Sequence, residues 1–155
     1  MQKKVDWRIF AGALIAVYAA AAIGSLFART NHWYGSAKPS ITPPDWVFPM
    51  VWGVLYLLIA LSIYLMWTRS TREQKLLAGS LFALNLVLNM LWTYFFFTMQ
   101  QPVLALIDLV LILLSIVALV LILWKVDRRA SLLLVPYGLW VAFAGVLNLL
   151  VIVGG

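Results

Sequence analysis

The chain has 155 residues, 65% of them hydrophobic and only 10% charged, with a mean hydropathy of +1.03. A water-soluble domain of this length cannot bury so much apolar surface, and the absence of cysteine excludes disulfides, thiolate metal sites and cysteine nucleophiles. The net charge of +6 does not indicate nucleic acid as a partner, because the basic residues form short clusters between apolar runs, an arrangement typical of proteins in a lipid bilayer.

Five apolar runs follow one another along the chain, each of about 20 residues, the length that crosses ~30 Å of hydrocarbon as a helix. Without water in that layer the backbone must satisfy its own hydrogen bonds, so we expect helices. We interpret the first run as a membrane span and not as a secretory signal. The sequence predicts an all-α integral membrane protein, a five-transmembrane-helix bundle with residues 1–155 as a single domain. The predicted spans are 8–28, 46–67, 76–98, 103–124 and 131–152.

The first span carries small residues at every fourth position, a spacing that lets another helix approach closely. The neighbour is either another span of the same chain or a second protomer, and the spacing leaves a homodimer contact open. These residues are Gly12, Ala16, Ala20 and Gly24.

The first connection, residues 29–45, is the longest loop, and we interpret it as a cover over the mouth of a pocket. Thr42-Pro43-Pro44-Asp45 fits the start of the second helix, with Thr42 as the cap and Pro43 in the first turn.

The basic residues are distributed unequally between the two sides of the predicted bundle. Five spans place the N-terminus and the connections 2–3 and 4–5 on one side, and the positive-inside rule predicts that this side is cytoplasmic and that the C-terminus lies outside. Arg29 and Lys38 belong to the opposite side. The cytoplasmic side is predicted to hold Lys3, Lys4, Arg8, Arg69, Arg72, Lys75, Lys125, Arg128 and Arg129.

Polar residues inside the predicted spans are candidates for function. Asp108 is the one carboxylate there, ~8 Å below the surface, where a carboxylate is costly. It is a site candidate, or else a helix-start carboxylate that caps a neighbouring helix. Asn85, Asn89 and Trp92 share one face of the third span, which suits either ligand contact or hydrogen bonds between helices.

Aromatic residues recur at helical spacing on two other spans. Trp52 and Tyr56 share a face of the second. Trp140, Ala144 and Asn148 share a face of the fifth, in which Pro136 predicts a bend. Aromatics at this spacing usually serve packing.

Depth in the membrane favours a pocket over simple packing. Trp52, Trp92 and Asp108 all fall ~8–9 Å below one surface. If their faces converge, they form a pocket for a flat amphipathic ligand. No nucleophile elbow, phosphate loop or carboxylate pair is present and His32 is the single histidine, so we expect neither a conventional enzyme nor a metal site.

Three stretches together resemble the translocator protein family, also called the tryptophan-rich sensory protein (TspO/MBR) family. The resemblance runs through the entire chain, and the combination is specific although each piece alone is weak. The stretches are Trp33-Tyr34, Lys38-Pro39-Ser40 and Thr42-Pro43-Pro44-Asp45-Trp46-Val47-Phe48-Pro49 with Trp52 and Tyr56; Ala83-Leu84-Asn85-Leu86-Val87-Leu88-Asn89 with Trp92; and Val135-Pro136-Tyr137-Gly138-Leu139-Trp140-Val141-Ala142-Phe143-Ala144.

The resemblance implies a five-helix membrane receptor or sensor, often dimeric, without an obligatory cofactor. Its ligands would be tetrapyrroles such as protoporphyrin IX or haem, and benzodiazepine- or isoquinoline-type molecules, bound beneath the first loop. The alternative is a transporter of tetrapyrroles or other amphiphiles. The resemblance implies a pocket lined by Trp33, Trp52, Tyr56, Asn85, Asn89, Trp92, Asp108, Trp140 and Ala144.

Some bacterial members of that family promote light- and oxygen-dependent porphyrin breakdown, and the matching positions imply a catalytic role for Trp52 and Trp140. Animal members carry Tyr and Arg in a cholesterol motif after the fifth span, whereas this chain ends Val151-Ile152-Val153-Gly154-Gly155. The departure argues against sterol binding and indicates a protein of a bacterial cell membrane.

Overall fold

The computed structural model describes residues 6–28 and 32–154, except for the side chain of His32. The helices in this part of the chain are α1 (Trp7–Ser25), α2 (His32–Ala37), α3 (Val47–Arg69), α4 (Arg72–Thr93), α5 (Pro102–Val126), α6 (Arg128–Leu132) and α7 (Val135–Gly154), and α4 continues into a π-helical turn (Tyr94–Thr98).

Five segments are long and apolar enough to cross a membrane, which confirms the predicted five-span bundle. The largest shift of a single boundary is at the start of the third span, which begins at Arg72 and not at 76. Thr71 starts it early: its hydroxyl accepts a hydrogen bond from the Gln74 N–H, and the Gln74 side chain accepts one from the Thr71 N–H. The spans are Trp7–Ser25, Val47–Arg69, Arg72–Thr98, Pro102–Val126 and Arg128–Gly154.

The spans form a ring in the order α3, α1, α4, α5 and α7. α5 packs closely against α4 and α7, and α1 lies against α3 and α4. The contact that closes the ring, between α3 and α7, is slight. The side of the ring formed by α4, α5 and α7 is therefore tightly packed, whereas a gap lies between α3 and α7.

The second span begins at Val47, within one residue of its prediction, but the predicted cap and first turn of its helix are wrong. Thr42 does not cap a helix; its N–H donates to the carbonyl of Pro39 at 3.0 Å and closes a turn, and Pro43 lies outside the helix. α3 begins at Val47, and the proline in its first turn is Pro49. The first-turn N–H groups of a helix have no intrahelical partner, so Pro49 removes no hydrogen bond there.

The predicted fifth span consists of two helices. α6 ends at Leu132, and α7 begins at Val135, with Pro136 as its second residue. Proline has no N–H to donate to the preceding turn, and its ring clashes with the carbonyl four residues earlier. The bend predicted at Pro136 is thus an interruption immediately before it.

Helix α6 is fixed to α3 at the end of the bundle near the N-terminus. The Ser62 hydroxyl donates to the carbonyl of Ala130 at 2.8 Å. Asp127 caps α6 by accepting from the Arg129 N–H at 2.8 Å, and its other oxygen lies 2.5 Å from a guanidinium nitrogen of Arg69. This buried carboxylate therefore joins the end of α3 to the junction of α5 and α6.

We call this end of the molecule the basic end. Here Lys75 lies over the ring of Trp67 and Arg128 over that of Trp124, at 5.7 and 5.2 Å. Of the other cations in the topology prediction, Lys3, Lys4 and Arg29 lie outside the described residues. That the basic end faces the cytoplasm stays a prediction of the positive-inside rule.

The small residues of α1 do not share one neighbour. Gly24 is buried against α4, where an added Cβ would lie 3.6 Å from the side chain of Met90. Gly12 and Ala16 are exposed, and Ala20 is half-buried. Positions four apart drift by about 40° per step around a helix, so the stripe turns away from α4. Gly24 serves packing within the chain, and a homodimer contact stays a prediction for the rest of the stripe.

We expect Asp127→Ala to destabilise the protein by about 2 kcal/mol, because it removes a helix cap and leaves Arg69 without its partner. The control is Asp6→Ala, which removes the exposed cap of α1 with its bond to the Arg8 N–H but no ion pair. Thermal unfolding in detergent measures both. Equal losses for the two variants would show that the ion pair contributes nothing.

Candidate functional site

A cavity of about 640 Å³ lies in the half of the bundle opposite the basic end. Its walls come from the second half of α1, the first half of α3, the end of α4 with the π-helical turn, and the second half of α7. α5 contributes no described wall residue. The cavity therefore lies between four spans, with α5 behind α4 and α7.

Paired aromatic rings form the wall on the α3 side. The ring of Trp52 stacks on that of Tyr56, with centroids 5.2 Å apart and planes at 29°. Phe48 packs edge-on against Trp140 of α7 at 5.8 Å. All four residues line the cavity. Two helices that make little direct contact thus meet at this level through aromatic side chains.

The π-helical turn forms the opposite wall. The Met99 N–H donates to the carbonyl of Tyr94 at 2.9 Å, five residues back, so this turn is wider than an α-helical one. Phe96 and Phe97, consecutive in sequence, both line the cavity. The centroid of the Trp92 ring lies 5.3 Å from that of Phe96, with which it stacks, and 6.0 Å from that of Phe97.

The first connection covers the open end of the cavity. Tyr34, Pro39 and Asp45 line the cavity, and the Tyr34 ring packs edge-on against Phe97 at 5.3 Å. Lys38 forms an ion pair with Asp45. That hydrogen bond raises the pKa of Lys38, and burial raises the pKa of Tyr34. Lys38 is therefore charged and Tyr34 neutral at physiological pH.

A chain of hydrogen bonds runs from the cavity wall into the core of the bundle. The Tyr56 hydroxyl donates to Asn89 Oδ1 at 3.4 Å, and Asn89 Nδ2 donates to the Tyr137 hydroxyl at 3.3 Å. Tyr137 donates to Asn85 Oδ1 at 2.9 Å, and Asn85 Nδ2 donates to the Ser115 hydroxyl at 2.8 Å. These five side chains connect α3, α4, α5 and α7.

A second polar contact orients the indole of Trp92. Its N–H donates to Asn148 Oδ1 at 3.2 Å, and Asn148 Nδ2 donates to the carbonyl of Pro102 at 2.7 Å. Trp92 therefore offers a ligand its ring and not its N–H. Within the described chain, the indole N–H groups of Trp52 and Trp140 have no hydrogen-bond partner, so each can donate to a bound molecule.

The structure brings together six of the nine residues that the sequence predicts for the pocket. Each has at least part of its side chain at the cavity surface, and together they come from α3, α4 and α7. They are Trp52, Tyr56, Asn89, Trp92, Trp140 and Ala144.

The other three residues do not line the cavity. Trp33 lies in α2 and packs edge-on against Phe96 at 5.5 Å, behind the wall. Asn85 is buried in the hydrogen-bond chain. Asp108 is 4% exposed on α5, and its Oδ2 atom has no hydrogen-bond partner among the described residues. The helical period correctly predicts which residues share a face of a helix. It does not predict whether that face borders the cavity or is covered by another helix.

The predicted set of pocket residues omits several residues of the wall. Asn148 shares the face of Trp140 and Ala144, as the sequence predicts, and this shared face is the signal that identifies it. Tyr18 had no such signal: it is one hydroxyl on the first span, and its hydroxyl donates to the carbonyl of Gly53 at 2.9 Å. Among the described residues, no group of three acidic or histidine side chains could hold a metal ion.

Comparison with known proteins agrees with this architecture. The sequence pattern of the TspO/MBR family matches residues 13–153. The chain belongs to this family. The tryptophan-rich protein TspO of Chlorobaculum tepidum is 40% identical over 81% of this chain and 82% of its own length. Protein CrtK of Rhodobacter capsulatus is 36% identical over 90% and 88%, and the translocator protein of Sus scrofa 38% over 76% and 71%.

Membership of the TspO/MBR family confirms the resemblance found in the sequence. Together with the five apolar spans it establishes an integral membrane protein. It also supports a role as a membrane sensor or receptor. The cavity described above is a space within the bundle that such a role could use.

We expect Tyr137→Phe to destabilise the TspO/MBR bundle by about 1 kcal/mol, because it leaves Asn89 and Asn85 each without one hydrogen bond. Tyr64→Phe is the matched control: the ring of Tyr64 packs against Phe10, and its hydroxyl has no described hydrogen bond. Thermal unfolding in detergent compares the two. A loss for Tyr64→Phe as large as for Tyr137→Phe would contradict the importance of the hydrogen-bond chain.

Proposed function

We propose that this chain is a membrane receptor or sensor that binds tetrapyrroles of the protoporphyrin IX or haem type, and benzodiazepine- or isoquinoline-type molecules, in the cavity. The observation that carries the proposal is the cavity itself, about 640 Å³ in volume and walled by aromatic rings from four spans. Sites for small amphipathic ligands are mostly apolar, with a few polar groups that fix orientation.

The chemistry of the walls suits a flat ligand. The stacked pair Trp52 and Tyr56 and the stacked pair Trp92 and Phe96 lie on different sides of the cavity, and each offers an aromatic surface. The free indole N–H groups of Trp52 and Trp140 can donate to a carbonyl or carboxylate of the ligand. The cavity thus combines stacking surfaces with two hydrogen-bond donors.

We further propose that bound porphyrin is broken down in light. An excited porphyrin accepts an electron from a nearby indole, and dioxygen is the oxidant that completes the reaction. Trp52 and Trp140 both line the cavity, so a bound porphyrin would lie beside their rings. Because neither indole N–H has a hydrogen-bond partner among residues 6–28 and 32–154, an oxidised indole can release its proton towards the ligand.

The alternative function, transport of amphiphiles across the membrane, receives less support. The half of the bundle towards the basic end is filled by buried side chains, among them Met66, Leu119, Leu123 and Leu134. In the described residues the cavity does not continue into that half. A carrier would have to separate these side chains in each cycle, whereas a receptor needs no such rearrangement.

The proposed ligand site predicts saturable binding of protoporphyrin IX in the dark, followed by porphyrin absorbance in detergent. We expect the double variant Trp52→Phe/Trp140→Phe to bind about tenfold more weakly, because it loses both free N–H donors and some ring area. The control is Trp67→Phe/Trp124→Phe at the basic end, far from the cavity. The same affinity for both double variants, or no saturable binding by the unmodified protein, would contradict the site.

The photochemical proposal predicts loss of porphyrin absorbance when the saturated complex is illuminated in air. Trp52→Phe/Trp140→Phe should slow this loss about tenfold or more at a porphyrin concentration that saturates the variant, because two of the three indole electron donors among the described cavity residues are then absent. Trp67→Phe/Trp124→Phe should keep it. Binding without porphyrin loss by the unmodified protein would leave a receptor without photochemical activity.

A further inference from the structure

A second concavity of about 570 Å³ opens on the outside of the bundle, where α3 and α7 make only slight contact. We call it the side groove. Its described lining residues are all hydrophobic, and none of them is charged. The groove is lined by Met50, Val54 and Leu58 from α3 and by Pro136, Leu139 and Phe143 from α7.

The side groove lies within the membrane. Met50 is the fourth residue of α3, and Leu58 lies eight residues further on, so the groove extends ~12 Å from just inside the start of the span. Trp46, which precedes α3, is 64% exposed and suits the headgroup layer at that surface. The medium that meets the groove is therefore the hydrocarbon of the leaflet at the cavity end of the molecule.

We propose that the side groove binds the acyl chain of a phospholipid from this leaflet. An acyl chain is narrow enough to lie between two helices and matches a lining without charged side chains. Its headgroup would remain near Trp46, at the level where a phospholipid headgroup belongs. Binding in the groove covers apolar surface that the slight contact between α3 and α7 leaves open.

A second copy of this chain fits the groove less well. Helices in membranes associate through small residues, which let their backbones approach closely. None of the described residues that line the groove is Gly, Ala, Ser or Thr. The exposed small residues Gly12 and Ala16 are on α1, on another side of the ring. The chemistry of the two surfaces therefore assigns the lipid chain to the groove.

The side groove is separate from the cavity but adjoins it. Trp140 lines both, and its ring lies against Phe48 on one side and Phe143 on the other. A lipid chain in the groove would thus support the outer face of a cavity wall. The proposal does not depend on what the cavity binds, because it concerns only the outer surface.

The test uses the full chain in lipid nanodiscs that contain phosphatidylcholine with a photoreactive diazirine in the middle of one acyl chain. After irradiation, mass spectrometry maps the labelled residues. Labelling at Met50 and Phe143 should saturate at a low fraction of the probe and decrease when unlabelled phosphatidylcholine competes. Labelling at Leu114 and Leu121, which are exposed on α5, should instead rise in proportion to the probe.

Two variants fill the groove from opposite sides, Val54→Trp and Leu139→Trp, at positions exposed enough to accept a larger side chain without disturbing the core. Each should abolish the saturable labelling and leave labelling on α5 unchanged. Leu114→Trp is the control and should change neither signal at the groove. A Tm close to that of the unmodified protein establishes that each variant is folded.

Two results would overturn the proposal. The first is labelling in the groove that rises in proportion to the probe, as on α5, or that survives both filling variants. The second is a cross-link between two copies through peptides that contain Met50, which would assign the groove to a dimer. Loss of porphyrin binding would not affect either result, so the outcome is independent of the proposed function.

Discussion

The hydroxyl of Tyr137 holds together the half of the bundle that contains the cavity. It accepts from Asn89 and donates to Asn85, and the chain of bonds continues to Tyr56 and Ser115, so one buried network connects four spans. In hydrocarbon an amide or hydroxyl without a protein partner cannot form a hydrogen bond with water, so breaking one of these bonds is costly. The bonds therefore hold the four helices in one register. The positions of the cavity walls follow from that register.

The network also determines what kind of surface the cavity presents. The side-chain amide of Asn85 forms its hydrogen bonds with residues of α5 and α7, and that of Asn148 forms its hydrogen bonds with Trp92 and Pro102. These polar groups are therefore engaged in hydrogen bonds within the protein. The surface that they leave for a ligand consists mainly of aromatic rings and two free indole N–H groups. A flat, weakly polar ligand of the proposed kind fits such a surface, and the few donors would fix its orientation.

The elements that sequence predicted well depend on a strong and local physical constraint. Five helices follow from the thickness of the bilayer and from the need to satisfy the backbone, whatever the side chains do. The faces of Trp52 and Tyr56, and of Asn89 and Trp92, follow from the helical period, and these residues do line one cavity. A local period was sufficient for these four residues because they lie in the regular α-helical parts of α3 and α4, before the π-helical turn begins.

The predictions that failed depend on long-range packing. Asp108 lies at the depth expected, but α5 stands behind α4 and α7, and only the order of helices in the ring reveals this. Thr42 and Pro43 have the composition of a helix start, yet α3 begins at Val47, with Pro49 in its first turn. Three prolines, Pro43, Pro44 and Pro49, occur within seven residues, and local preference does not distinguish between them.

The π-helical turn restricts which sequence changes this segment can accept in evolution. Between Tyr94 and Thr98 the backbone accommodates one residue more than a regular turn would, and the connection to α5 is fitted to that length, with Gln100 in a left-handed conformation (φ 54°). Removing one residue here would restore a regular α-helix and rotate the following residues by about 100°. Phe97 would leave the cavity, and Thr98 would lose its bond to the carbonyl of Phe27. The segment should therefore tolerate changes of side chain far better than changes of length.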